Sequence, residues 1–231
     1  MTSNAGSRRV SLRLATLGAI AAAALALALS GGHSALAGRT HEHASIPAPG
    51  LNARQQALHD RMRKLWEDHI TWTRLAIVSF AANLPDFNPT AARLLRNQTD
   101  IGNAIKPYYG ARAGNRLTAL LEEHINGAVA ILRAAKSGDT AAFDRAKAAW
   151  YRNANQIAHF LSRANPRNWR FGVVDRLMRT HLDQTLKEAA DRLAGKFSAD
   201  IRDYDAVHRH ILVMADALSN GIIAQFPGKF R

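Results

Sequence analysis

From Leu51 to Phe226 apolar residues recur at three- and four-residue spacing, and no segment alternates strictly between apolar and polar positions as a half-buried strand does. The pattern predicts an all-α fold. Turn-forming residues punctuate it. Asn52 with Gln55 has the spacing of a capping box that opens a first helix, and Leu84-Pro85-Asp86-Phe87-Asn88-Pro89 closes that helix and starts a second. Pro107 to Gly110 is expected to end the second helix. Ser137-Gly138-Asp139-Thr140 then separates a third from a fourth, Asn165-Pro166 a fourth from a fifth, and Gly195 with Ser198 a fifth from a sixth.

Within this frame the chain resembles itself. Leu65 to Ile77, Leu120 to Leu132 and Leu177 to Ala189 align without gaps on His69, His124 and His181. Four residues after each histidine stands a small residue: Thr73, Ala128 and Thr185. The partner helices align on Asn97, Asn153 and His210, which lie 28, 29 and 29 residues beyond the respective histidines. The expected architecture is a six-helix bundle of three repeated antiparallel helical hairpins, at approximately 52–107, 111–165 and 168–227. Amphipathic helices slide into register on apolar stripes alone, so the polar columns carry the repeat.

Each histidine shares its helix face with apolar residues one turn away (Leu65, Leu120 and Leu177 four positions earlier), so all three are expected to point inward. Equal distances from the turns put His124 near Asn153 and His181 near His210 or Leu212, whereas His69 falls nearer Asp100 or Asn103 than Asn97. Each histidine taken singly reads as a core residue hydrogen-bonded to a neighbour. Three at equivalent positions suggest a shared site instead, with His69, His124, His181, His210 and Asp100 as candidate ligands of a divalent transition metal. Asn97, Asn103, Asn153, His159, Asp216, Trp72 and Trp150 are the candidates to line a site for a small ligand. The familiar helical metal patterns are absent: the positions three before the histidines hold Trp66, Leu121 and Met178 rather than glutamate, and no His-Glu-x-x-His occurs. His208 reads as a surface residue paired with Asp205. Asp203 and Asp205 lie two apart on a helix and diverge by roughly 200°, so they cannot chelate one ion. No phosphate-binding glycine loop and no serine or cysteine nucleophile signature is present.

Composition adds the setting. The 231 residues contain no cysteine, so stability must come from packing. Residues 1–37 read as a signal peptide: Arg8, Arg9 and Arg13 precede the apolar run Leu17 to Leu29, and Ala35-Leu36-Ala37 fits a cleavage site. Arg8-Arg9 also suits the twin-arginine route as an alternative to Sec. Residues 38–50, with His41, His43, Pro47, Pro49 and Gly50, are expected to form a flexible leader, leaving 51–231 as the helical domain. The expected location is secreted or periplasmic, with no transmembrane helix in the mature chain. The formal charge is +13; removing the signal leaves 28 basic against 18 acidic residues. That excess allows weak contact with polyanions or the cell envelope, but the arginines are scattered and no nucleic-acid motif accompanies them.

Three stretches carry a family likeness: Leu65-Trp66-Glu67-Asp68-His69 through Trp72-Thr73-Arg74, Asn97-Gln98-Thr99-Asp100-Ile101-Gly102-Asn103 through Gly110, and His210 through Ser219. Over residues 55 to 231 the chain resembles a family of secreted bacterial helical proteins labelled glycosyltransferase. The family pattern has acids where this chain has Asn155 and Gln156, which the resemblance makes poorer in carboxylate ligands. The resemblance implies an envelope transferase, but an exported protein meets no nucleotide-sugar pool and the pattern offers no α/β nucleotide site. The leading expectation is therefore an exported helical binding protein whose inward His/Asn/Asp layer holds a metal ion or small ligand. A transferase using the same layer and a structural envelope protein without a ligand are the alternatives.

Overall fold

The structure, a computed structural model, describes residues 50–231; the expected signal peptide and nearly all of the expected leader lie outside the described residues. The fold is all-α. Five α-helices follow one another, α1 (Ala53–Ala81), α2 (Phe87–Ser137), α3 (Thr140–Ala164), α4 (Phe171–Leu193) and α5 (Phe197–Gln225), and a single 3₁₀ turn (Pro227–Phe230) ends the chain. Among the described residues there is no strand, and no helix is long and apolar enough to cross a membrane.

The sequence signals place most helix ends. Asn52 caps α1 by accepting from the Arg54 and Gln55 amides at 3.1 Å, while Gln55 Oε1 accepts from the Asn52 amide at 3.0 Å. The Asn52 side chain also donates to the Phe230 carbonyl at 2.8 Å, tying the end of the chain to its first helix. Asp139 caps α3 through the Ala142 amide, 2.8 Å away, and Gly138 closes α2 in the left-handed conformation.

Five helices stand where six are expected, because the Pro107–Gly110 signal bends α2 instead of ending it. Pro107 lacks the amide a helix interior needs, and Gly110, at φ 82° and ψ 166°, leaves helical geometry for one residue. The turn is sharp. In a straight helix residues twelve apart are separated by about 18 Å, yet a Cβ placed on Gly102 would stand 2.7 Å from the Gly114 carbonyl oxygen, and one on Gly114 2.6 Å from that of Gly102. The two arms of α2 therefore lie against each other, and these glycines permit the approach.

α1 packs against α2 and α5, α3 against α2 and α4, and α4 against α5. Direct contacts of α4 with both α1 and α2 bring those three helices to the centre. The main core runs through this centre, with Ile70, Leu120, Leu121 and Leu182 among its most buried members, while Ile77, Leu132 and Ala189 form a smaller cluster of their own.

Candidate functional site: a buried histidine layer

The three inner helices each bring one histidine into the core. His69 from α1, His124 from α2 and His181 from α4 are 2%, 2% and 3% exposed. The His69 and His181 rings are 5.7 Å apart between centroids and tilted by 51°; those of His124 and His181 are 6.1 Å apart and nearly parallel, at 27°. The structure thus gathers these three predicted residues around His181.

The partner-column residues make three corresponding hydrogen bonds. Asn97 donates to the Leu65 carbonyl at 3.0 Å, Asn153 to that of Leu120 at 3.0 Å, and His210 Nε2 to that of Leu177 at 2.9 Å. Each acceptor lies four residues before a layer histidine. The carbonyls of the histidines themselves also gain a donor: Thr73 bonds to that of His69, Trp150 to that of His124 and Thr185 to that of His181, at 2.8 to 2.9 Å. These bonds hold the helix backbones around the layer while leaving the imidazoles lightly engaged.

Of the three layer imidazoles, His124 has a fixed tautomer. Asn153 directs its amide nitrogen to Leu120, so its Oδ1, 3.1 Å from His124 Nδ1, accepts the proton there and leaves the lone pair on Nε2. Nδ1 of His69 and Nδ1 of His181 are buried without a hydrogen-bond partner. Gln98, itself fully buried, opposes the depression of the His69 pKa, but its Oε1 has no hydrogen bond of good geometry. Burial holds His69 at a pKa of about 4 and His124, which also feels His69, at about 3. Burial, followed by the proximity of His69, His124 and His210, carries His181 well below its ordinary value. All three imidazoles are neutral at pH 7.

The other predicted residues are arranged differently. Asp100 and Asn103 are exposed and do not reach His69, contrary to the register expected from the turn; Asn97 is the buried one, and it serves a carbonyl. Asn97, and not Asp100 or Asn103, reaches α1, at the Leu65 carbonyl one turn before His69, so the pairing is not the one that counting from the turn predicts. His210 is half-buried with its Nε2 committed to Leu177. Asp216 stands away from the layer, accepting from Arg63 at 3.3 Å and lying within ion-pair distance of His59 at 3.0 Å; His59 precedes His69 by ten residues, or about 15 Å of helix. His159 is exposed and stacks on Phe171 at 4.1 Å. Trp72 is half-buried beneath the Arg93 guanidinium, whereas Trp150 is buried and stacks on His124 at 5.0 Å. His208 bonds to Glu67 across the α1–α5 face at 2.8 Å, not to Asp205. Among the described residues no three His, Asp or Glu side chains are placed to hold a metal ion together.

A cavity of about 50 Å³ lies one helical turn from the histidines and not among them. Thr73, Ala128 and Thr185, the small residues four positions beyond each histidine, line it together with Ile77, Leu132 and Ala189. Its lining is apolar because both threonine hydroxyls bond back to the histidine carbonyls.

A second buried polar centre was not foreseen. Arg74 donates through Nη2 to Asp200 Oδ2 at 2.8 Å and through Nη1 to the other oxygen, and its Nη1 also reaches Glu188 Oε1 at 3.1 Å. Arg192 approaches Asp200 at 3.4 Å. Asp200 and Glu188 are 0% and 1% exposed. Burial raises the Glu188 pKa to about 7 against the opposing pull of Arg74. The available signal was position: Glu188 continues the Met178/His181/Thr185 stripe, where a solvated acid has no place.

No protein-family model, curated protein or solved structure matches this chain.

Proposed function

We propose that the protein is an exported helical binding protein, built from three hairpin copies, whose histidine layer holds a metal ion or a small polar ligand. In this reading the bend at Gly110 divides α2 between the first and second copies, giving six helical arms. The corresponding bonds from Asn97, Asn153 and His210 to the leucine carbonyls support the repeat. The observation that carries the binding role is the pair of unpartnered Nδ1 atoms within a layer of three neutral imidazoles. An unsatisfied buried nitrogen costs about 1 to 3 kcal/mol, and a core with no other task for the position fills it with an apolar residue. Neutral imidazole is also the form that ligates transition metals and accepts hydrogen bonds.

Zinc, copper and nickel titrated into metal-stripped protein and into the His124→Ala, His181→Ala double variant test the assignment. Binding that the double variant loses supports it, and equal binding by both contradicts it. Export rests on the basic start, the apolar run and Ala35-Leu36-Ala37, and places the mature amino terminus near Gly38. Finding Met1 on the envelope-associated form by amino-terminal sequencing would overturn that part.

A further inference from the structure

We infer that one end of the helical domain is a docking surface for an anionic lipid membrane. It stands apart from the histidine layer. Arginines that are scattered along the sequence are gathered here by the fold. The start of α1, the bend of α2, the α3–α4 connection and the close of α5 meet at this end. Asn52 donates to the Phe230 carbonyl at 2.8 Å, Tyr109 to Gln225 Oε1 at 2.6 Å and Asn165 to the Gly221 carbonyl at 2.8 Å, and the Tyr108 ring stacks on that of Phe230 at 5.7 Å. The segments that form this end, 52–61, 104–116, 160–173 and 218–231, carry ten lysines and arginines against a single acid, Asp60. The opposite end, formed by 75–92, 130–146 and 186–204, is of similar size and carries seven side chains of each sign. Residues 50–231 have a side-chain excess of ten positive charges, and nine of them therefore lie at one end.

Exposure and pairing sharpen the contrast. Nine of the ten basic residues are exposed, Lys106 being half-buried. Among the described residues the ion pairs of lysine and arginine lie elsewhere: Arg63, Lys64 and Arg179 pair along the flanks, and Arg74, Lys187 and Arg192 toward the opposite end. Charges without counterions in the chain gain most from an external anionic surface, about fivefold in affinity for each one close to the headgroups. Because the charges come from four separate segments, they cover a face. A plane of lipid headgroups meets that face all at once. A nucleic-acid strand follows a line and is held by exposed rings on which its bases stack. Phe197, the one exposed aromatic side chain among the described residues, lies at the opposite end. Between its arginines the basic end presents Val173, which is 44% exposed, and the half-buried rings of Tyr108 and Phe226. Side chains of this kind enter a headgroup layer while arginines reach its phosphates. The uneven charge also sets an orientation, with the α2 bend toward the lipid and the neutral end away from it.

The test is co-sedimentation of the full mature chain with phosphatidylcholine vesicles containing about one-quarter phosphatidylglycerol, beside vesicles of phosphatidylcholine alone. The expected result is binding to the anionic vesicles at least about thirtyfold stronger than to the neutral ones. It should weaken at least about tenfold as salt rises from about 0.05 to about 0.5 M, which shortens the screening length about threefold. Arg167→Glu with Arg170→Glu, both exposed and outside any ion pair, should weaken binding by at least about tenfold. Arg133→Glu with Arg145→Glu makes the same change of net charge one helix length away, at the neutral end, and should alter binding by less than about twofold. A second measurement leaves the charges untouched. Since the chain has no cysteine, Gly228→Cys at the basic end and Ala141→Cys at the neutral end each take a polarity-sensitive dye at one site. Gly228 faces open space and Ala141 is exposed, so neither change disturbs packing. Vesicles should shift the dye at 228 and not the dye at 141. Equal losses from the two pairs of reversals, or equal responses from the two dyes, would mean attraction by net charge alone and overturn the docking surface. A DNA duplex bound more tightly than the anionic vesicles at the same phosphate concentration overturns lipid as the partner. Absence of binding to the anionic vesicles at the lower salt overturns the inference outright.

Discussion

The histidine layer and the arginine–carboxylate junction lie one to two helical turns apart on the same inner helices, yet they bury polarity in different ways. In the layer, three imidazoles are neutral and two of their nitrogens lack partners. In the junction, Asp200 is fully buried and has two guanidinium groups on its oxygens, with Glu188 on the first of them. Paired buried charge is strongly destabilised by loss of one partner, because the survivor is left uncompensated. Unpaired neutral nitrogens impose the opposite condition: their removal relieves a cost. The junction therefore reads as a clamp joining α1, α4 and α5, and the layer as a place kept polar for something other than stability.

The comparison is broken most forcefully by pH. Each layer histidine has a folded-state pKa below its unfolded value, so between the two values the unfolded chain binds more protons and stability falls as pH falls. For His69, with about 4 against 6.5, the loss amounts to roughly 3 kcal/mol on crossing that window. His124 and His181 act in the same direction. Glu188 acts oppositely: its folded value of about 7 exceeds its ordinary 4.5, so its contribution is fully present below 4.5 and is lost as pH rises through 7. Urea unfolding from pH 7.5 to 4.5 should therefore show stability declining below about 6.5, with three histidines outweighing one glutamate. In a Glu188→Gln variant the decline should steepen. A flat profile would mean that the imidazoles are solvated.

Next in size is Asp200→Ala. It strands the Arg74 and Arg192 guanidinium groups, which are 16% and 20% exposed, and should cost about 3 kcal/mol in thermal or urea unfolding. His181→Leu at the layer should cost far less, since it removes an unpartnered nitrogen. Equal losses at the two sites would erase the distinction drawn between them.

How far these centres were legible in the sequence follows the same division. The three- and four-residue spacing gave the helical class and the inward direction of His69, His124 and His181, because a helix face is a local property. The capping residues Asn52 and Asp139 were legible for the same reason. Contacts between helices were not. Asp100 is expected near His69 by counting from the turn, but Asn97 is the residue that reaches α1, at the Leu65 carbonyl, a register set by packing between helices and not by local spacing. Arg74, Glu188, Arg192 and Asp200 come from three helices and share no spacing. Asp200 in particular lies in the first turn of α5, where an acid is ordinarily read as favouring the helix dipole.

The smallest effect separates the engaged histidine from its neighbours. Asn153→Ala removes the acceptor of His124 Nδ1 and the donor to the Leu120 carbonyl, and should cost about 1 to 3 kcal/mol. Thr73→Val removes one hydroxyl from a carbonyl already bonded within its helix, and should cost less than about 1 kcal/mol. Paired unfolding curves would check the order, and a reversed order would show that Asn153 does not hold His124.

The central claim is that three imidazoles sit neutral at the core, and nitrogen-15 NMR of the histidine rings followed from pH 8 to 4.5 tests it most directly. The account predicts that His69, His124 and His181 keep neutral-imidazole shifts to pH 5, with Nδ1 of His124 protonated throughout by virtue of Asn153. Protonation of all three near pH 6.5 in the folded chain would contradict it.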